Sequence, residues 1–154
     1  MEKQTEKRTS ADAQLQEAMQ KAFQAQQAQR KALLVRRYAQ LNRHAAKGQI
    51  VMAGSSLMVS SDGMRIYNRG VGGFVTLELM EAIEPLILEL APSRLFLNIG
   101  SNDIAADTYR QEDLIHNVET ILSQVRTHVP DCRIHLMAYY PVNADETFPG
   151  IPED

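Results

Sequence analysis

The sequence predicts an α/β fold, a doubly wound parallel sheet with an extra helix at its amino terminus. Three observations carry that prediction. Apolar runs after Gly48 are short, the pattern of strands buried on both faces of a parallel sheet. They alternate with segments whose apolar residues recur at helical spacing. Three strands end in turns of glycine, serine or asparagine, at the edge where open α/β sheets bind and transform ligands.

Residues 1–29 are rich in Gln, Ala, Lys and Glu, without Gly or Pro, and have good helix propensity. Leu15, Met19 and Phe23 form one narrow apolar stripe that fades at Gln26 and Gln27, so a frayed or partner-dependent helix is expected over residues 11–29. A stronger helix is expected from Arg30 to Ala46, with Leu34, Tyr38, Leu41 and Ala45 on the face toward the sheet and Gly48 as its left-handed cap. Four strands follow: Ile50 to Met52, Met64 to Tyr67, Leu95 to Ile99, and Ile134 to Tyr139. Thr76 to Leu90 has helical spacing, but Pro85 lacks an N–H and should kink or divide that helix. Gln111 to His128 reads as a helix with Leu114, Val118, Ile121, Leu122 and Val125 inward. Only the eleven residues Ala53 to Gly63 join the first two strands, which is short for a parallel crossover. Ser60-Ser61-Asp62-Gly63 suits a direct return.

A chain of 154 residues is one domain by length and can bury a core without disulfides or a metal. The single cysteine, Cys132, forms no intrachain disulfide, and no Cys or His pair has zinc-ligand spacing, so no metal or other cofactor is expected. A net charge of -3 gives no reason to expect nucleic acid or anionic membrane as partner. The basic residues Arg30, Lys31, Arg36, Arg37 and Arg43 read as a solvated helix face, since no aromatic residues interleave them. The charged amino terminus is not a secretory signal, and the longest apolar runs are strand-sized, so no membrane span and a cytoplasmic location are expected.

The chemistry concentrates at three strand ends: Ile50-Val-Met-Ala-Gly-Ser-Ser-Leu57, Ile66-Tyr-Asn-Arg-Gly-Val-Gly-Gly73, and Gly100-Ser101-Asn102-Asp103 after Arg94-Leu-Phe-Leu-Asn-Ile99. Together they would bring a hydroxyl, a glycine amide and a carboxamide to one point. Each motif also has a plainer reading. Ser55 and Ser56 suit a helix cap, and so do Asn102 and Asp103. Gly70, Gly72 and Gly73 suit a simple turn or a phosphate loop, although a dinucleotide-binding loop should follow the first strand instead. Leu57, Met58 and Phe74 suit an apolar pocket or the core equally. His135 begins its strand while the three turns follow strand ends, so it reads as structural, and His44, His116 and His128 are no better placed as bases.

At these three segments the sequence resembles the SGNH hydrolases, the GDSL-type esterases and lipases. The family's Gly-Asp-Ser block is similar to Gly54-Ser55-Ser56, its Asn-x-x-x-x-Gly block to Asn68 through Gly73, and its Gly-x-Asn-Asp block to Gly100 through Asp103. The resemblance runs from about Ile50 to Tyr140 and implies a flavodoxin-like parallel sheet. It implies Ser56 as nucleophile, with its own N–H, the Gly73 N–H and the Asn102 side chain as the oxyanion hole. Gly54, Ser55, Asn68 and Gly100 would support the site, and Asp103 would hydrogen-bond the turns around it.

The family's fourth block, an Asp-x-x-His supplying the base, has no counterpart in the sequence, which is therefore expected to be an amino-terminal portion of such a domain. The implied organisation is a Gln/Ala-rich helical extension, residues 1–29, and an SGNH hydrolase-like domain, residues 30–154, incomplete at its carboxyl end. The implied activity is hydrolysis of a small acyl ester or acylated carbohydrate through an acyl-serine, very weak without the base. The alternative is a non-catalytic binding or assembly protein that uses its amino-terminal helix to pair with a partner, including a second copy of itself.

Overall fold

A computed structural model of the chain describes residues 2–55, 66–106 and 108–138, with side chains from residue 13 onward. Two compact units divide at Leu34 and Val35. Helix α1 runs without interruption from Glu2 to Asn42, so the expected change of character near Arg30 is not a break. Nothing in that stretch supplies one, because it lacks both Gly and Pro. In the first unit Leu15, Met19 and Phe23 are each about 60% exposed, at 61%, 64% and 60%.

Within the second unit, the inward face of α1 includes Tyr38 as expected but not Leu41. Val35, Tyr38 and Ala39 are half-buried and Asn42 is buried, whereas Leu41 is exposed. The spacing is helical in both cases, but a polar residue, Asn42, takes the most buried position because it meets polar groups there. The helix ends at Asn42, six positions before Gly48, so Gly48 is not its cap. Gly48 keeps a positive φ of 74° and donates instead to Leu90 O and Ala91 O.

The four described strands are β1 (Ile50–Gly54), β2 (Ile66–Gly70), β3 (Arg94–Asn98) and β4 (Arg133–Leu136). All pairs are parallel, in the order β2-β1-β3-β4. This is the α/β architecture expected, and its order reverses direction between β1 and β3. Strand β2 reaches Gly70, three residues beyond the expected end, while the expected start at Met64 lies outside the described residues. Strand β4 ends at Leu136, short of the expected Tyr139, which also lies outside them.

Register places Val51, Ala53, Leu95 and Leu97 on one face of the sheet, and all four are fully buried. On the opposite face Met52 and Phe96 are half-buried, and His135 stacks on Phe96 with ring centroids 4.6 Å apart. Between β2 and β3 the chain forms α2 (Thr76–Glu81), α3 (Ile83–Leu86) and a 3-10 turn at Leu88–Leu90. The division at Ala82 follows from Pro85, whose ring would strike the Glu81 carbonyl of a continuous helix. Leu79, Ile83, Leu86, Ile87 and Leu90 are buried as their spacing requires. After β3 come α4 (Ser101–Ile104) and α5 (Gln111–His128), the latter burying Ile121 and Val125.

Candidate active site at the sheet edge

Ligands of open parallel sheets bind at the carboxyl edge where strand order reverses, and here that point lies between β1 and β3. Two glycines make the backbones meet there. Gly54 has φ 127°, and a β-carbon built on it would fall 1.8 Å from Asn98 O, so only glycine fits. The Ser55 N–H then donates to Asn98 O at 2.8 Å, and the Ser55 hydroxyl faces Asn98 Oδ1 at 3.4 Å, with both side chains buried. Ser55 thus forms part of the floor. Ser56, the next residue, lies outside the described residues, as do Leu57 and Met58.

On the other side of β1, Gly70 pairs in register with Gly54, and Val71 N–H donates to Gly54 O at 2.8 Å. Asn68 Oδ1 accepts from Gly70 N–H at 2.8 Å and shapes the chain as it leaves β2. A tight turn follows, closed by Phe74 N–H donating to Val71 O, with Gly73 at φ 74°. Gly73 is exposed, and among the described residues nothing accepts a hydrogen bond from its N–H. Phe74 turns into the core, so of its two expected places it takes the packed one.

The third turn starts at Gly100, with φ 116°, and opens α4. Asn102 Nδ2 donates to Phe74 O at 2.8 Å, which brings the carboxamide beside the Gly73–Phe74 segment. An amide nitrogen carries two hydrogens, so one remains for another acceptor. Asp103 fixes this pairing from behind. Its carboxylate accepts from Thr76 N–H at 3.0 Å and from the Thr76 hydroxyl at 2.5 Å, while Asn117 Nδ2 donates to that hydroxyl at 3.0 Å. Val75, at the start of α2, has no side-chain acceptor, so capping comes from Glu78 reaching back to Val75 N–H and from Asp103 across the turn.

The structure therefore brings Asn102 against Phe74, the residue after Gly73, with Gly54, Ser55, Asn68, Gly100 and Asp103 shaping or bracing the turns. Sequence reasoning missed Thr76, Asn98 and Asn117, whose roles depend on partners 27 to 43 positions away. A cavity of about 220 Å³ opens beside Asp103, lined also by Val75, Tyr109, Arg110 and Asp113. None of the four histidines is tied to the Gly73–Asn102 pair. His135 is stacked on Phe96, His128 Nδ1 lies 2.9 Å from Gln124 O, and His44 and His116 are exposed. Among the described residues no cluster of His, Cys, Asp or Glu could hold a metal ion, and no helix is long and apolar enough to cross a membrane.

Several solved structures resemble this chain. One, from Streptococcus pneumonia and provisionally described as a platelet activating factor, matches with a TM-score of 0.73 and 26% identity, over 82% of this chain and 63% of its own. A Bacteroides fragilis protein provisionally described as an acylhydrolase matches with a TM-score of 0.57 at 22% identity, over 66% of this chain and 55% of its own. A GDSL-like lipase from Bacteroides thetaiotaomicron gives 0.56 at 18% identity, over 66% and 56%. At their identities the last two show a common fold. The chain spans less than two thirds of the length of each of these proteins. No family model matches the sequence, and no curated protein matches it.

Proposed function

From the SGNH/GDSL hydrolase fold that this chain shares, we propose that it is a serine esterase site for a small acyl ester or acylated carbohydrate, acting through an acyl-serine at Ser56. The observation that carries the reading is the 2.8 Å contact of Asn102 Nδ2 with Phe74 O, which holds a carboxamide donor against the residue that follows Gly73, at the carboxyl edge of the sheet. Ser56 follows Ser55, whose backbone is pinned to that same edge.

The chemistry has two requirements. A serine hydroxyl attacks an acyl carbon only as a base takes its proton, and the tetrahedral intermediate needs donors aimed at its oxyanion. Gly73 N–H, Asn102 Nδ2 and the Ser56 N–H fill the second role, each donor contributing on the order of 3 kcal/mol to the transition state. No histidine of this sequence fills the first, so turnover by these residues alone is expected to be weak, with Ser56 attacking unassisted and only binding and the oxyanion donors to support it.

The test is p-nitrophenyl acetate hydrolysis by the chain and by Ser56→Ala. Loss of the protein-dependent rate in the variant supports Ser56 as nucleophile, and an unchanged rate removes it. A second reading, assembly through the amino-terminal helix, is favoured by the exposure of Leu15, Met19 and Phe23 along one stripe of α1.

A further inference from the structure

Among the described residues, the outer edge of β2 at Gly70 is met by side chains rather than by another strand. In parallel pairing a residue whose N–H and C=O serve one neighbour alternates with one whose groups face away. Gly54 O accepts from Val71 N–H, so the N–H and C=O of Gly70, between Arg69 and Val71, point away from β1. Both are nevertheless satisfied. Asn68 Oδ1 takes the Gly70 N–H at 2.8 Å, and the Tyr38 hydroxyl of α1 donates to Gly70 O at 3.1 Å.

Tyr38 is itself held by a buried cation. Arg69 is 5% exposed, and its guanidinium lies 4.8 Å from the Tyr38 ring centroid and 5.2 Å from that of Tyr67. Its Nη1 donates to Asn68 O at 3.0 Å and its Nη2 to Asn42 Oδ1 at 2.8 Å. Asn42 Nδ2 in turn reaches Pro85 O and Glu89 Oε2, each at 2.7 Å. A guanidinium buried with no direct carboxylate contact among the described residues is costly to hold, and this arrangement spends that cost on one place, the last two residues of β2 before the Val71–Gly73 turn.

We propose that Tyr38, with Asn42 and Arg69, positions the Gly73 turn, so that the last turns of α1 set the aim of the oxyanion donor. The proposal rests on the esterase reading for its catalytic consequence, and on the geometry alone for its mechanical one. Fixing Gly70 O fixes the peptide from which the turn departs, and Gly73 lies three residues on. A donor that wanders by an ångström loses much of its effect on the transition state while substrate binding is little changed.

Tyr38→Phe removes the hydroxyl and keeps the ring on Arg69. In p-nitrophenyl acetate hydrolysis it is expected to lower kcat about three- to tenfold with KM unchanged, a split that general destabilisation does not produce. Amide hydrogen exchange is read in parallel: the Phe74 N–H, which closes the turn, should exchange about tenfold faster while Leu97 in the core is unaffected. If Ser56→Ala abolishes turnover and Tyr38→Phe leaves kcat unchanged, the positioning role is overturned and the esterase reading stands. If Ser56→Ala leaves turnover intact, the esterase reading fails and exchange alone decides: a faster Phe74 N–H supports the clamp, and an unchanged one overturns it.

Discussion

Gly54 and Asn98 approach so closely that the site has no tolerance for a side chain at residue 54. A methyl group there meets Asn98 O at 1.8 Å on a backbone already in the left-handed half of conformational space. Gly54→Ala is expected to cost about 3 kcal/mol, read as a lowered denaturation midpoint by circular dichroism. A midpoint within error of the parent would mean that β1 and β3 do not meet as described. Gly54 was legible in the sequence because it stands in a motif, as were Gly73, Gly100 and Asn102. The buried Arg69 was not. Between Asn68 and Gly70 a charged residue reads as surface, and only partners distant in sequence, the Tyr38 and Tyr67 rings and the Asn42 carboxamide, make a buried guanidinium tolerable. Burial pushes the Tyr38 hydroxyl above its ordinary pKa, with Arg69 and Arg37 opposing, so it remains an O–H donor through neutral pH. A raised tyrosine pKa gives stability that is complete below the unfolded value and lost only as pH rises through the folded one, on the alkaline side.

Elements explain why the turns at the sheet edge hold their shape. Helix α2 has six residues and cannot stand by propensity alone, so its first turn depends on the Asp103 carboxylate arriving from α4. Asp103→Ala leaves the N–H and hydroxyl of a fully buried Thr76 without that acceptor, at an expected cost of about 3 kcal/mol in urea unfolding. A cost below about 0.5 kcal/mol, the range of an ordinary surface substitution, would show that the cap is not structural. The spacing of α5 was legible from Gln111 to His128 because its apolar residues and flanks agree. Division of the segment before β3 was legible from Pro85. The buried face of α1 was not, since Leu41 outranks Asn42 in hydrophobicity and only Pro85, Glu89 and Arg69 on other elements reverse that order. Neither was the uninterrupted course of α1, because the fading apolar stripe resembles an end while no residue actually terminates the helix.

At the scale of the whole molecule, alternation of strands and helices announced a parallel α/β sheet, but periodicity contains no strand order. That order, β2-β1-β3-β4, came into view only with the register, and it turns three scattered motifs into neighbours across a switch point. The first unit, residues up to Leu34, is a helix with its apolar stripe exposed, and helices in proteins draw most of their stability from packing such a face. Removal of residues 2–29 is expected to convert a self-associated species to a smaller one in size-exclusion chromatography with light scattering. An unchanged oligomeric state would count against assembly through α1.

The central claim is that Gly73 and Asn102 form one donor pair for a developing oxyanion. The most direct measurement is p-nitrophenyl acetate kinetics of Asn102→Ala against the parent chain. The account predicts that kcat falls about 10²- to 10³-fold while KM stays the same. A variant that keeps the parent kcat, with its fold intact by circular dichroism, would contradict it.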